Sequence, residues 1–230
     1  MDIEKKLEAI RQFGQTKILV LGDGMLDVYE FFNKKDSKPS PEMPGKRVYK
    51  TEKTKNVLGG AANVANNLAA LGIDTTLISV CGCDGFSHVL EELAGQNNIK
   101  YSFIKSRNRP TTVKRRIYID DKYRFRTDCE SSSEISDATQ ANVRKAFLEK
   151  LDHVNAVVFS DYDKGFFTRE LTQMLIQECS SNGIPVVVDF KPSNREYFAG
   201  ADVIAPNHKE AQQIHERFNR NNGLAKSTEY

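Results

Sequence analysis

The chain has 230 residues, enough for one medium domain with a small appendage, and 39% of them are hydrophobic and arranged in short blocks, which excludes a disordered polymer. Its 33 basic and 31 acidic side chains nearly cancel, removing the global charge that would draw it to nucleic acid or an anionic membrane. No apolar run approaches the ~20 residues of a membrane span and the opening MDIEKKLEAIRQFG is charged rather than signal-like, so a soluble cytoplasmic protein is expected.

Ile3, Leu7, Ile10 and Phe13 recur at helical spacing and predict a short amphipathic helix. TKILVLGD (Thr16 to Asp23) is a continuous apolar run ending in glycine and aspartate, the pattern of a strand buried on both faces. From Tyr29 to Val57 the chain turns polar and proline-rich. Gly60 to Leu71 then reads as a helix, TTLISVCG (Thr75 to Gly82) as a buried strand and Phe86 to Gln96 as a helix. Tyr101 to Glu130 reads as a hairpin, TTVKRRIYI and YRFRTD joined at Asp120, Asp121 and Lys122. Helices over Ala138 to Leu151, Thr168 to Ser181 and Asn207 to Phe218 alternate with buried strands NAVVFSD (Asn155 to Asp161), IPVVVDF (Ile184 to Phe190) and ADVIAPN (Ala201 to Asn207).

The alternation predicts an α/β fold, a parallel sheet covered by helices. Residues 1–28, 58–100 and 131–218 form its core. The hydrophilic segments 29–57 and 101–130 are assigned to one small antiparallel flap over the end of the sheet, and 219–230 to a polar tail. Cys81, Cys83, Cys129 and Cys179 lack metal-type spacing and are read as reduced and structural.

In an open parallel sheet, ligands bind outside the carboxyl ends of the strands. Four strands finish there on polar residues, Asp23, Asp161, Asp189 and Asn207, which makes a cleft rim plausible although each could be a turn or a cap. LGDGMLD (Leu21 to Asp27) begins like a dinucleotide fingerprint, but Asp27 puts a carboxylate where a pyrophosphate belongs. An acid there suits hydroxyl groups, or serves as a cap. In VLGGAANVANNLAALG, Gly59 and Gly60 allow close backbone approach, and Asn63 can donate and accept at once, as a polyol requires. Tight packing alone would explain the glycines but not Asn63.

Period-two alternation puts Lys114, Arg116 and Tyr118 on one face of a flap strand, and Arg124 and Arg126 on one face of its partner. Such a flap could close over a phosphorylated ligand, or be a solvated charged edge. In APNHKE, Asn207 and Glu210 match a capping box; the functional alternative is a pair steering a metal-bound phosphate. GxxxxGK[ST], HExxH and GxSxG are all absent.

Taken together, GDGMLD, SPEMP (Ser40 to Pro44), GGAANVANNLAALG (Gly59 to Gly72), TTVKRRI, SDYDKG (Ser160 to Gly165), VDFK (Val188 to Lys191) and APNHKE resemble the ribokinase (PfkB-type) family of carbohydrate kinases. Within it they are most similar to the heptose-7-phosphate kinases that feed ADP-heptose and lipopolysaccharide precursor synthesis. The resemblance implies a ribokinase-like three-layer sandwich with a β lid. It also implies that Asp27 and Asn63 bind sugar hydroxyls above the Gly59–Gly60 turn, and that Lys114 and Arg116 reach a sugar phosphate. Lys164 and Lys191 would face the cleft. Asn207 and Glu210 would organise ATP and Mg2+, with Glu210 as the metal residue. The family pattern has proline where this chain has Phe190.

The family also carries a GAGD-type loop whose aspartate deprotonates the accepting hydroxyl, and these 230 residues contain none; they end in FNRNNGLAKSTEY. Two readings follow: a sugar-phosphate kinase in truncated form, inactive by itself, or a non-catalytic remnant that folds and binds a sugar phosphate. A sheet without its C-terminal part would expose an apolar edge, which a homodimer through that edge or through the lid would cover.

Overall fold

The structure is a computed structural model that describes residues 3–4 and 11–221, with side chains as far as residue 216. In chain order the elements are β1 (Lys17–Gly22), β2 (Gly24–Phe32), β3 (Lys38–Pro39), β4 (Arg47–Val48), β5 (Thr51–Gly60) and α1 (Ala61–Ala70). There follow β6 (Asp74–Gly82), α2 (Gly85–Gln96), β7 (Lys100–Ser106), β8 (Val113–Ile119), β9 (Lys122–Cys129) and α3 (Asp137–Leu151). The last are β10 (Ala156–Ser160), α4 (Arg169–Ser181), β11 (Val186–Asp189), β12 (Val203–Ile204) and α5 (His208–Asn221). Of the expected N-terminal helix, Leu7 and Ile10 lie outside the described residues, and Phe13 opens a single 3-10 turn.

The main sheet has six strands in the order β12-β11-β10-β1-β6-β7, every pair parallel. Alternation along the strands builds a core on each face. Leu19, Leu21, Val157, Phe159 and Val188 pack against Phe147 and Leu151 of α3 and Leu171 and Leu175 of α4. Val20, Leu77 and Cys81 pack against Ala61, Ala62 and Ala65 of α1 and Leu90 and Ala94 of α2. The alanines let α1 lie close on the sheet, and helix, sheet and helix make the three layers expected. Side-chain caps start three of the helices: Asp84 accepts from Phe86 and Ser87 backbone N–H, Ser136 from Thr139, and Thr168 from Leu171.

The second sheet has the order β5-β2-β8-β9. It is mixed rather than antiparallel, because β2 and β8 pair in parallel register. Its reach also differs from expectation. It begins at Gly24 and ends its second strand at Gly60, since β2 and β5 run unbroken from the core into the lid. Residues 100–106 belong instead to the main sheet, as its β7 edge, so the lid hairpin is only β8 and β9. The hydrophilicity of β7 reflects its edge position. Similarly ADVIAPN yields a two-residue strand whose Val203 and Ile204 are half exposed, and α5 extends beyond residue 218.

Phe147 is fully buried between α3 and the sheet, so Phe147→Ala should cost about 3–5 kcal/mol, read as a lower denaturant midpoint with little change in slope.

Candidate active site

Counting outward from β1, the chain fills the sheet through β6 and β7 on one side and through β10, β11 and β12 on the other. The switch point therefore lies between β1 and β10, where an open α/β sheet leaves its crevice. Asp23 sits at that point, 6% exposed. Its carboxylate accepts backbone N–H bonds from Tyr162 (2.8 Å), Lys164 (3.2 Å) and Phe166 (3.3 Å), and its carbonyl accepts from Ala61 at the start of α1 (3.0 Å). Neighbouring Asp161, also buried, accepts from Asp163 N–H (2.8 Å), Asn194 Nδ2 (2.9 Å) and Lys191 N–H (3.4 Å). These two carboxylates are thus buried loop anchors rather than an open rim. Burial, with the charge of Asp161 adding to it, outweighs the three N–H donors and pushes Asp23 from an ordinary 3.8 up to about 6.

Two glycines permit this convergence. A Cβ on Gly22, whose φ is 148°, would lie 2.0 Å from the Ser160 carbonyl; on Gly60, with φ 55°, it would lie 2.2 Å from the Asp23 carbonyl. No residue with a side chain fits either place.

Above this floor, one face of the lid carries Asp27, Lys114 and Arg116, and the other carries the Arg115–Glu30 pair. The β2–β8 register puts Asp27 beside Lys114 and Tyr29 beside Arg116. Arg116 donates to Asp27 Oδ1 at 2.6 Å, and its guanidinium lies 5.2 Å from the centre of the Tyr29 ring. Asp27 is thus a strand residue rather than a helix cap. Gly59 stands against the same carboxylate, since a Cβ there would approach Asp27 Oδ2 to 2.9 Å. Lys114 Nζ lies 2.9 Å from Glu130 Oε2 and 3.3 Å from Asp128, and Lys164 Nζ lies 2.9 Å from Glu130 Oε1. Arg109 donates to the carbonyls of Ser131 and Lys164, tying the lid's return crossing to the same loop. Arg126 pairs with Asp128 at 2.8 Å and opposes Arg116, whereas Arg124 stands at a bulge outside that pairing. Asn63 is exposed one turn into α1.

At the far side, Lys191 Nζ meets Glu210 Oε1 at 2.7 Å and lies 5.5 Å from the centre of the Tyr162 ring. Burial opposes the charge of Lys191, but Glu210 raises it above the ordinary lysine value; burial likewise opposes Glu210, which Lys191 holds below the ordinary glutamate value. The capping box is formed in both directions, Asn207 N–H to Glu210 Oε2 at 3.0 Å and Glu210 N–H to Asn207 Oδ1 at 3.1 Å. Both oxygens of Glu210 are therefore engaged, which does not suit direct metal ligation. Among the described residues no group of three or more His, Cys, Asp or Glu could hold a metal ion.

Eight of the ten expected residues gather in three groups, Asp27 with Arg116 and Gly59, Lys114 with Lys164, and Lys191 with Asn207 and Glu210; Gly60 lies in the floor against Asp23 and Asn63 is exposed on α1. The sequence reading missed Glu130, Asp128, Arg109 and Tyr162; it is a bulge in the lid hairpin that brings Asp128 opposite Lys114.

An all-parallel sheet crossed at its switch point by a mixed β lid is a ribokinase-like architecture, and the solved structures share this fold. Phosphofructokinase-2 from Escherichia coli in complex with substrates and products superposes with a TM-score of 0.68 at 16% identity, over 87% of this chain and 63% of that one. A carbohydrate kinase from Agrobacterium tumefaciens gives 0.65 at 18%, over 86% and 63%. The chain belongs to the pfkB family of carbohydrate kinases, whose pattern matches residues 15–229. It is 41% identical over 199 residues to the bifunctional protein HldE of Nitratiruptor sp., covering 86% of this chain and 41% of HldE. It is 33% identical over 214 residues to D-beta-D-heptose 7-phosphate kinase of Bordetella bronchiseptica, covering 93% and 66%. The chain therefore spans about two-fifths of the length of the first relative and two-thirds of the second. No described helix is long and apolar enough to cross a membrane.

Because Asp23 takes up its proton near pH 6 when folded and near 3.8 when unfolded, its contribution to stability is fully present below 3.8 and is lost as pH rises through about 6. Asp23→Asn lacks that dependence. The stability of wild type relative to Asp23→Asn should therefore decrease from pH 4 to pH 7 in parallel denaturation curves, and a constant difference would contradict the buried, proton-holding carboxyl.

Proposed function

We propose that the chain provides the sugar-phosphate side of a kinase that phosphorylates a heptose 7-phosphate at O1 with MgATP, in the supply of ADP-heptose for lipopolysaccharide. The observation that carries this reading is the convergence of Asp27, Arg116 and side-chain-free Gly59 on one face of the lid, beside the Lys114 and Lys164 ammonium groups. The names of the HldE and heptose 7-phosphate kinase relatives point the same way.

In this reading Asp27 accepts hydroxyl hydrogens of the sugar, and Asn63 adds a donor and an acceptor from α1. Gly59 and Gly60 keep the floor open. Arg116 holds the Asp27 side chain in place by donating to its Oδ1 at 2.6 Å. Lys114 and Lys164 receive the 7-phosphate, and Lys191 faces the phosphates of ATP. Asn207 and Glu210 hold the start of α5 beneath the nucleotide. Mg2+ keeps several waters and needs few carboxylates, so Asn207 and Glu210 would help to hold it where MgATP is bound. Bound MgATP supplies the phosphoryl group and charge neutralisation.

Phosphoryl transfer also needs a group that orients and deprotonates the nucleophile, and the 230 residues contain no GAGD loop. We therefore propose binding without appreciable turnover by this chain alone, and association of copies through the lid. Calorimetry with the heptose phosphate should show binding that Asn63→Ala weakens by about three- to tenfold, the loss of one or two hydrogen bonds. With MgATP added, ADP should not accumulate. Unchanged affinity in Asn63→Ala removes that assignment, and robust ADP formation refutes the absence of a base.

A further inference from the structure

Glu130 is the first residue after β9, where the chain leaves the lid and returns to the core. Its two carboxylate oxygens are divided between two cations from different parts of the fold, Oε2 to Lys114 of the lid and Oε1 to Lys164 of the Asp23-anchored loop, each at 2.9 Å. The side chain is itself about a quarter exposed, and the two lysines 14% and 17%, so the carboxylate can leave toward water more readily than either ammonium can. Burial works against its charge, yet hydrogen bonds from Lys164 and Lys114 hold Glu130 below the ordinary glutamate range. The backbone beside it stays fixed when the side chain moves, because Arg109 donates to the Ser131 carbonyl at 3.0 Å.

We propose that Glu130 is a built-in stand-in for the substrate's phosphate, which the phosphate must displace to reach Lys114 and Lys164. This rests on the reading of those two lysines as the phosphate-binding pair. A phosphate ester presents two oxygens in much the same spacing as a carboxylate, with a charge of about −1.5 to −2 at neutral pH against −1 for the glutamate. It therefore outbids Glu130 for two ammonium groups. An uncharged sugar offers them nothing and would leave them facing only each other and Asp128. Glu130 thus makes the site reject unphosphorylated sugars, setting specificity by a competing contact as well as by attraction.

The test uses inorganic phosphate titrated by calorimetry at fixed ionic strength into the full 230-residue chain, with thermal unfolding in its absence as the check on folding. Glu130→Gln keeps the shape and removes the competing charge, so phosphate should bind about fivefold more tightly, the upper range for a partly exposed ion pair. Glu130→Asp is too short to span both lysines and should fall between wild type and Glu130→Gln; if the glutamine variant fails to fold, this comparison decides alone. The double variant Lys114→Met, Lys164→Met should lose phosphate binding. Equal or weaker binding in the Glu130 variants, while the double variant still loses it, overturns the stand-in and leaves the lysine assignment intact. Phosphate binding that survives in the double variant, or that no form shows, removes the lysine assignment and the stand-in together.

Discussion

The arrangement of the site depends on one buried carboxyl group, that of Asp23. Its side chain gathers three backbone N–H groups of the 162–166 loop, while its own N–H donates to the Ser160 carbonyl at 3.2 Å and its carbonyl receives Ala61. One residue thereby joins the ends of β1 and β10, the start of α1 and, through Gly24, the first lid strand. Gly24 N–H is itself held by Ser79 Oγ at 2.8 Å, which in turn donates to the Gly22 carbonyl at 2.8 Å. Asp27 lies three residues further along the same strand. Its position over the sheet is therefore set by backbone already fixed at Asp23, and a tether of this kind holds a binding group better than a loop would.

The cations nearest the proposed ligand are already satisfied: Arg116 by Asp27, Lys114 and Lys164 by Glu130, and Lys191 by Glu210. Pairs this exposed add little to folding stability, because solvent screens them and side-chain entropy opposes them. Their effect is on position and on selectivity. Each holds a flexible chain near the proposed anion site, and each would make an incoming anion compete with a carboxylate. Three carboxylates hold these four cations: Asp27 within the lid, Glu130 between the lid and the 161–166 loop, and Glu210 between α5 and the turn after β11.

The strands β1, β6, β10 and β11 of the main sheet were legible in the sequence because they are largely buried and continuous apolar runs such as TKILVLGD have few other readings, whereas the hydrophilic edge strand β7 was read into the lid. The alanine-rich α1 and the capping box at Asn207 and Glu210 were legible for equally local reasons. The lid was less so. Its hairpin turns at Asp120 and Asp121, both with positive φ, and a bulge between Ile117 and Tyr118 then shifts the pairing by one residue. Without that bulge Lys114 would oppose Thr127; with it Lys114 opposes Asp128, and Arg126 turns to the face of Arg116. A one-residue slip exchanges the faces of a strand, and no composition rule reports it. The roles of Asp23 and Asp161 were hidden for another reason. A strand-end aspartate looks alike whether it faces a ligand or collects the backbone donors of a distant loop, and only the tertiary packing distinguishes the two.

The two sides of the proposed cleft differ in how firmly they are built. The sugar side rests on β1, β10 and the lid base, where Leu21, Leu26, Leu58 and Val113 are nearly or fully buried and the lid crossings are hydrogen-bonded to the core. The side proposed for the nucleotide rests on β11, the two-residue β12 and α5, at an edge where Val203 and Ile204 remain half exposed. Parallel strands are stable when both faces are covered, and a short edge strand with exposed side chains opens at lower cost than the centre of the sheet. Lys191 and Glu210 bridge across that edge, one from the turn after β11 and the other from the first turn of α5. Local opening there would separate that pair while leaving Asp27, Arg116 and Glu130 in place, so the proposed sugar-phosphate site would tolerate disorder at this edge that the proposed nucleotide side would not.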